Sequence, residues 1–136
     1  MSKKFAGADL SSLTIDTSVA ETASLKLAPK TSPITREIAL TVGKEFAERV
    51  RKELDAEALI FVFGSTVKNT ASLESDIDIA VISDLYGDDV MQGCILLGEI
   101  AYAVSWDIEV HTVAQTDWKK DNTLHVSEIK HWGVAV

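Results

Sequence analysis

The stretch from Ala58 to Ile82 constrains the fold of this chain more than any other. Ala58-Leu59-Ile60-Phe61-Val62-Phe63 is a continuous apolar run that stops at Gly64-Ser65. It is too short for a typical helix and shows no polar alternation, which predicts a strand buried on both faces. After the polar, loop-like TVKNTASLES, which has room for one helical turn, comes Asp76-Ile77-Asp78-Ile79-Ala80-Val81-Ile82, a second predicted strand. Buried strands need helices packed on them, and the flanking sequence supplies candidates. The chain is read as an α/β sandwich small enough to be one domain.

Ser32-Pro33 predicts a helix start, because Ser is a good N-cap and Pro is favoured at the first helical position. Ile34, Ile38, Val42, Phe46, Val50 and Leu54 then recur every four residues as one apolar stripe. Asp88 or Asp89 can cap a helix running to about Ser105. Trp106 to Val113 (WDIEVHTV) alternates like a third strand, Thr116 to about Asn122 reads as a short helix, and the last stretch holds another helical turn and a final short strand. Residues 1–32 differ: Ser, Thr and Ala fill 15 of the 32 positions. So sparse an apolar content does not offset ordering entropy, and the segment is expected to be a flexible arm ahead of a domain over 33–136. The alternation in LTIDTSV leaves room for a strand added to a sheet edge or to a partner.

Thirteen Lys and Arg oppose twenty-one Asp and Glu, a formal net charge of −8. A chain so acidic is not a simple electrostatic nucleic-acid binder. No apolar run approaches the length of a membrane span, and MSKKFAGADLSS lacks the apolar core of a secretory signal, so a cytoplasmic protein is expected. Cys94, the single cysteine, is expected to be a buried thiol in VMQGCILLGEIAYAV. The acids are unevenly placed: between Lys68 and Lys119 there are ten and no Lys or Arg. Such a stretch is either a solvated face or a cation site.

Gly64, directly after a strand, lets backbone approach a ligand closely. Ser65 adds a hydroxyl, and turning backbone of this kind presents N–H groups to an anion. Asp76 and Asp78, two apart on a strand, share one face, while Ile77, Ile79 and Val81 point the other way into the core. Adjacent carboxylates repel unless a cation neutralises them, and hard oxygen ligands suit Mg²⁺ or Mn²⁺. A solvated acidic strand end is the other reading of the pair taken alone. Asp107 and Glu109 share one face of the third strand, with His111 after them. Either acid would complete a three-carboxylate site suited to two-metal displacement chemistry. His111 either assists near that site or makes one structural hydrogen bond.

An apolar strand ending in Gly-Ser, ten residues, then Asp76-Ile77-Asp78-Ile79 resembles the signature of the nucleotidyltransferase superfamily. The resemblance covers residues from about 33 to the end, and the short length is most similar to the minimal nucleotidyltransferases, whose polymerase-β-like domain stands alone; the ending EIKHWGVAV is also similar to theirs. It implies a small mixed β-sheet with helices packed on it. It implies Mg²⁺-dependent (or Mn²⁺-dependent) transfer of a nucleoside monophosphate, AMP from ATP, to an acceptor. Carried over by position, Gly64 and Ser65 hold the β- and γ-phosphates, and Asp76 and Asp78 are metal ligands. Glu109 fits best as third acid, since the family's acid precedes an aromatic or apolar residue by about nine positions, here Trp118; Asp107 is the alternative.

The chain departs from the family where Arg-Gly is common. Lys68 keeps the charge without the bidentate fork, and Asn69 can take the left-handed conformation that Gly would. Glu at the third acid is longer by one methylene than the usual Asp. The resemblance further implies a small helical partner of the HEPN type, with a tyrosine of that partner as acceptor in a toxin–antitoxin pair. A small-molecule acceptor such as an aminoglycoside ranks lower, and oligomers are possible. The alternative is a catalytically degenerate relative that acts by contact alone. Trp106, Trp118 and Trp132 are expected in the core or facing a partner. His125 and His131 fall on a helix without ligand spacing, Lys119-Lys120 on a solvated helix end, and Asp84 in a turn.

Overall fold

The structure, a computed structural model, describes residues 30–84, 90–121 and 123–136. Residues 1–29, and with them most of the expected arm, lie outside the described residues, as do Asp88 and Asp89. The elements run α1 (Arg36–Glu53), β1 (Leu59–Phe63), β2 (Ile77–Ser83), α2 (Val90–Val104), β3 (Ile108–Ala114), α3 (Gln115–Lys120), α4 (Leu124–Trp132) and β4 (Val134–Ala135).

The strands form one mixed sheet in the order β3-β2-β1-β4. β1 is antiparallel to both β2 and β4, while β2 and β3 are parallel. The parallel pair is joined through α2, as parallel neighbours require a crossover. β2 is central and buried along almost its whole length. Its odd-numbered residues Ile77, Ile79 and Val81 face one core, built with Ile60, Val62 and residues of α1 and α2 such as Phe46, Val50, Leu97 and Ile100. Ala80 and Ile82 face a second core with Phe63, Val113, Val126 and Ile129, against which Phe61 and Trp118 pack. Helices therefore cover both faces, and each fully buried Ile or Val contributes on the order of 1.5–3 kcal/mol from burial.

Two local expectations change. α1 begins after Thr35, whose hydroxyl accepts from the Ile38 amide, and not at Ser32-Pro33. Both sites satisfy the capping pattern, and packing of the following face selects the later one. That face is Ala39, Gly43, Phe46, Ala47 and Val50, while Ile38 is 53% exposed. A strict four-residue repeat advances about 400° per step and drifts around the helix, so Ile38 leaves the core while Phe46 and Val50 are buried in it and Ile34, Val42 and Leu54 pack against its edge. Cys94 is also exposed rather than buried. α2 is apolar nearly all round, and its core face takes Leu97, Ile100 and Ala101 instead.

Asn69 adopts φ 59°, the left-handed conformation anticipated for it. The third strand starts at Ile108, two residues later than expected. No helix among the described residues is long and apolar enough to cross a membrane.

Candidate active site

The sheet register assembles the site. Phe63 pairs with Asp78 across β1 and β2, and Asp78 pairs with Glu109 across β2 and β3. Because side chains alternate, Phe63, Asp78, Glu109 and His111 lie on the face of the second core, at the end of the sheet where that core runs out. His111 Nε2 lies 3.0 Å from Asp78 Oδ1 and 4.0 Å from Glu109 Oε1. One ligand atom from each of Asp78, Glu109 and His111 falls within 4.8 Å of the others. This donor set, two carboxylates and an imidazole, fits a divalent cation chemically.

The other predicted residues sort themselves around this trio. Gly64 follows β1 with φ +83°, and a Cβ built there would overlap the Asp78 carboxylate. The residue is Gly for both reasons: the backbone conformation and the close approach. Ser65 is half-buried, and its carbonyl accepts from the Thr70 amide at 3.0 Å, closing the turn. Thr66 is 1% exposed, and its Oγ1 meets no hydrogen-bond partner. Asp76 stands exposed one residue before β2 and is not in the three-residue group. Asp107 is held elsewhere, by Lys30 Nζ at 3.2 Å, which also donates to the Ser75 carbonyl. Of the two acids expected on the third strand, Glu109 lies on β3 beside Asp78, and Asp107 falls one residue before it.

Lys68 pairs with Glu128 Oε1 at 2.7 Å and sits 5.3 Å from the centre of the Trp132 ring. The loop that carries it is tied to α1, since Arg36 Nε donates to the Val67 carbonyl at 3.3 Å. α4 thus overhangs the site, with Glu128 engaging Lys68 and His125 stacking near His111 at 5.0 Å between ring centres. Phe63 meets both imidazoles edge-on, at 4.9 Å and 5.4 Å. Nothing in the spacing of His125 pointed here, because the placement depends on how α4 docks.

The hydrogen bond to Asp78 holds the His111 pKa above its ordinary 6.5, against the opposing effect of burial; the charges of Asp78, Glu109 and Glu128 reinforce the rise.

Comparisons agree with this architecture. No curated protein matches the chain. Among solved structures, a crystal structure from Sulfolobus solfataricus, of a protein provisionally named a nucleotidyltransferase, shares the fold. It is 16% identical with a TM-score of 0.53, over 74% of this chain and 80% of that one. The family model for the nucleotidyltransferase domain matches residues 44–131, a span that holds Gly64, Asp78, Glu109 and His111. The chain belongs to the nucleotidyltransferase domain family.

Proposed function

We propose that this chain transfers a nucleoside monophosphate, AMP from ATP, to an acceptor hydroxyl with the help of a divalent cation. The observation that carries the reading is the register of Asp78 against Glu109, beside a Gly64 turn that only a residue without a side chain can form. Asp78 and Glu109 would hold the cation, with Asp76 at the exposed mouth of β2 as the further carboxylate. When bound, such a cation neutralises triphosphate charge and lowers the pKa of an attacking hydroxyl.

The chain's own residues supply the remainder. Gly64 lets the Asp78 carboxylate sit directly against its backbone, and the Ser65 hydroxyl is a donor for a phosphate beside that turn. Lys68 offers a positive charge in a stretch otherwise without bases, once it parts from Glu128. In the metal-free chain His111 donates to Asp78 and keeps its carboxylate oriented. By analogy with the family, the acceptor is a tyrosine of a HEPN-type helical partner in a toxin–antitoxin pair.

A second reading, a degenerate relative acting by contact alone, is favoured by one observation. His111 already engages Asp78, while Asp76 stands apart from the group. Calorimetric titration of ATP with Mg²⁺ or Mn²⁺ separates the two. Metal-dependent ATP binding that disappears in Asp78→Asn supports transfer; equal heats for wild type and variant support the contact reading. Incubation with labelled ATP and a helical partner then identifies the acceptor.

A further inference from the structure

The candidate cation site contains an imidazole, and this bears on which cation it would take. His111 reaches Asp78 at 3.0 Å and Glu109 at 4.0 Å through the same nitrogen, Nε2. It therefore stands where a cation bridging the two carboxylates would meet it. Two ring contacts fix its plane: Phe63 edge-on at 4.9 Å and His125 at 5.0 Å. The His111 and Asp78 side chains are each 24% exposed, covered enough to hold their places and open enough to load from solvent.

Mg²⁺ prefers oxygen donors and gives up its water reluctantly, whereas first-row transition metals accept imidazole readily. Resting on the placement of a cation at Asp78 and Glu109, we propose that His111 is a direct metal ligand and makes this a Mn²⁺-type site rather than a Mg²⁺ site. In the metal-free chain Nε2–H donates to Asp78; on binding, that proton is released to solvent, the ring keeps Nδ1–H, and the freed Nε2 lone pair is offered to the cation. A carboxylate at position 111 would lack that preference. An amide there would offer an oxygen of similar reach and no transition-metal bias.

The test uses the full chain with Mn²⁺ or Mg²⁺ alone, without nucleotide. Pulsed electron paramagnetic resonance of the Mn²⁺-loaded protein should show coupling to a histidine nitrogen. That coupling should vanish in His111→Gln and persist in His125→Gln. Competition titrations should give a Mn²⁺-over-Mg²⁺ preference roughly tenfold larger in wild type than in His111→Gln. Absence of nitrogen coupling in wild type, or its survival in His111→Gln, overturns the assignment. If His111→Gln does not fold by circular dichroism, the His125→Gln protein and a chain labelled with ¹⁵N-histidine still decide whether a ring nitrogen binds the metal. Nitrogen coupling without any ATP binding would leave this inference standing while nucleotidyl transfer falls; Asp78-dependent ATP binding without nitrogen coupling would do the reverse.

Discussion

Gly64 and Asp78 share one small volume: the backbone of the first turns at φ +83° directly against the carboxylate of the second, and a single added methyl would overlap it. The relationship joins the two halves of the sequence signature, the Gly-Ser turn and the Asp-x-Asp strand, into one site. Gly64→Ala adds both left-handed backbone strain and a steric overlap. Its expected cost is about 1–3 kcal/mol. Denaturant unfolding should show that loss, and metal-dependent ATP binding should weaken in the protein that remains folded.

Glu109 and Asp107 should behave differently when neutralised, although both were candidates for the third carboxylate from sequence. Asp107 is engaged by Lys30, on the margin of β3. Asp107→Asn should leave metal affinity within about twofold and cost at most about 1 kcal/mol, as an exposed ion pair does. Glu109→Gln should reduce metal affinity sharply. Mn²⁺ titration of both variants checks the contrast, and equal losses would assign the third carboxylate to both.

In the metal-free chain, His111 should titrate above 6.5, because its hydrogen bond to Asp78 favours the charged ring. A raised folded-state pKa means that this interaction stabilises fully below the unfolded value near 6.5. Its contribution fades as pH rises through the folded value. NMR titration of the ring proton should show the shift, and Asp78→Asn should lower it. The stability lost in Asp78→Asn should be larger at about pH 5.5 than at about pH 9.

Lys68 is engaged by Glu128 in the ligand-free chain. A triphosphate must compete for it, so Glu128→Gln should raise ATP affinity by a few fold, about 0.5–1 kcal/mol. Lys68→Ala should lower it. Paired calorimetric titrations test both directions, and unchanged affinity in both variants would remove Lys68 from the binding turn.

Thr66 buries a hydroxyl whose oxygen has no partner, beside the buried Val67. Replacing an unpaired buried hydroxyl by a methyl of the same shape removes a desolvation penalty. Thr66→Val should be neutral or more stable by up to about 1–2 kcal/mol, read from the denaturation midpoint.

The elements themselves were legible because each depends on local pattern. The apolar runs marked β1 and β2, the period-two faces put Ile77, Ile79 and Val81 on one side of the sheet, and Asn69 revealed a left-handed turn. Gly64, Asp78 and Glu109 stood out for the same reason, since their spacing follows strand and turn geometry. Membership in the nucleotidyltransferase family was anticipated from the resemblance of the Gly64-Ser65 … Asp76-Ile77-Asp78-Ile79 run to that family's signature.

What depends on packing between distant segments was not legible. Two capping sites precede α1, and only the buried face of the helix chooses Thr35 over Ser32. Two acids were candidates on the third strand, but β3 starts at Ile108, so Asp107 falls before it and pairs with Lys30 while Glu109 stands opposite Asp78. His111 and His125 are 14 positions apart in sequence, and they meet only because α4 docks on the second face of the sheet. The sequence by itself determined the strands, the turn and the acids they carry, because those follow from periodicity and backbone conformation within a few residues. Tertiary structure alone decided which acid stands beside Asp78 and that an imidazole joins them, because that requires sheet register and helix docking across tens of residues.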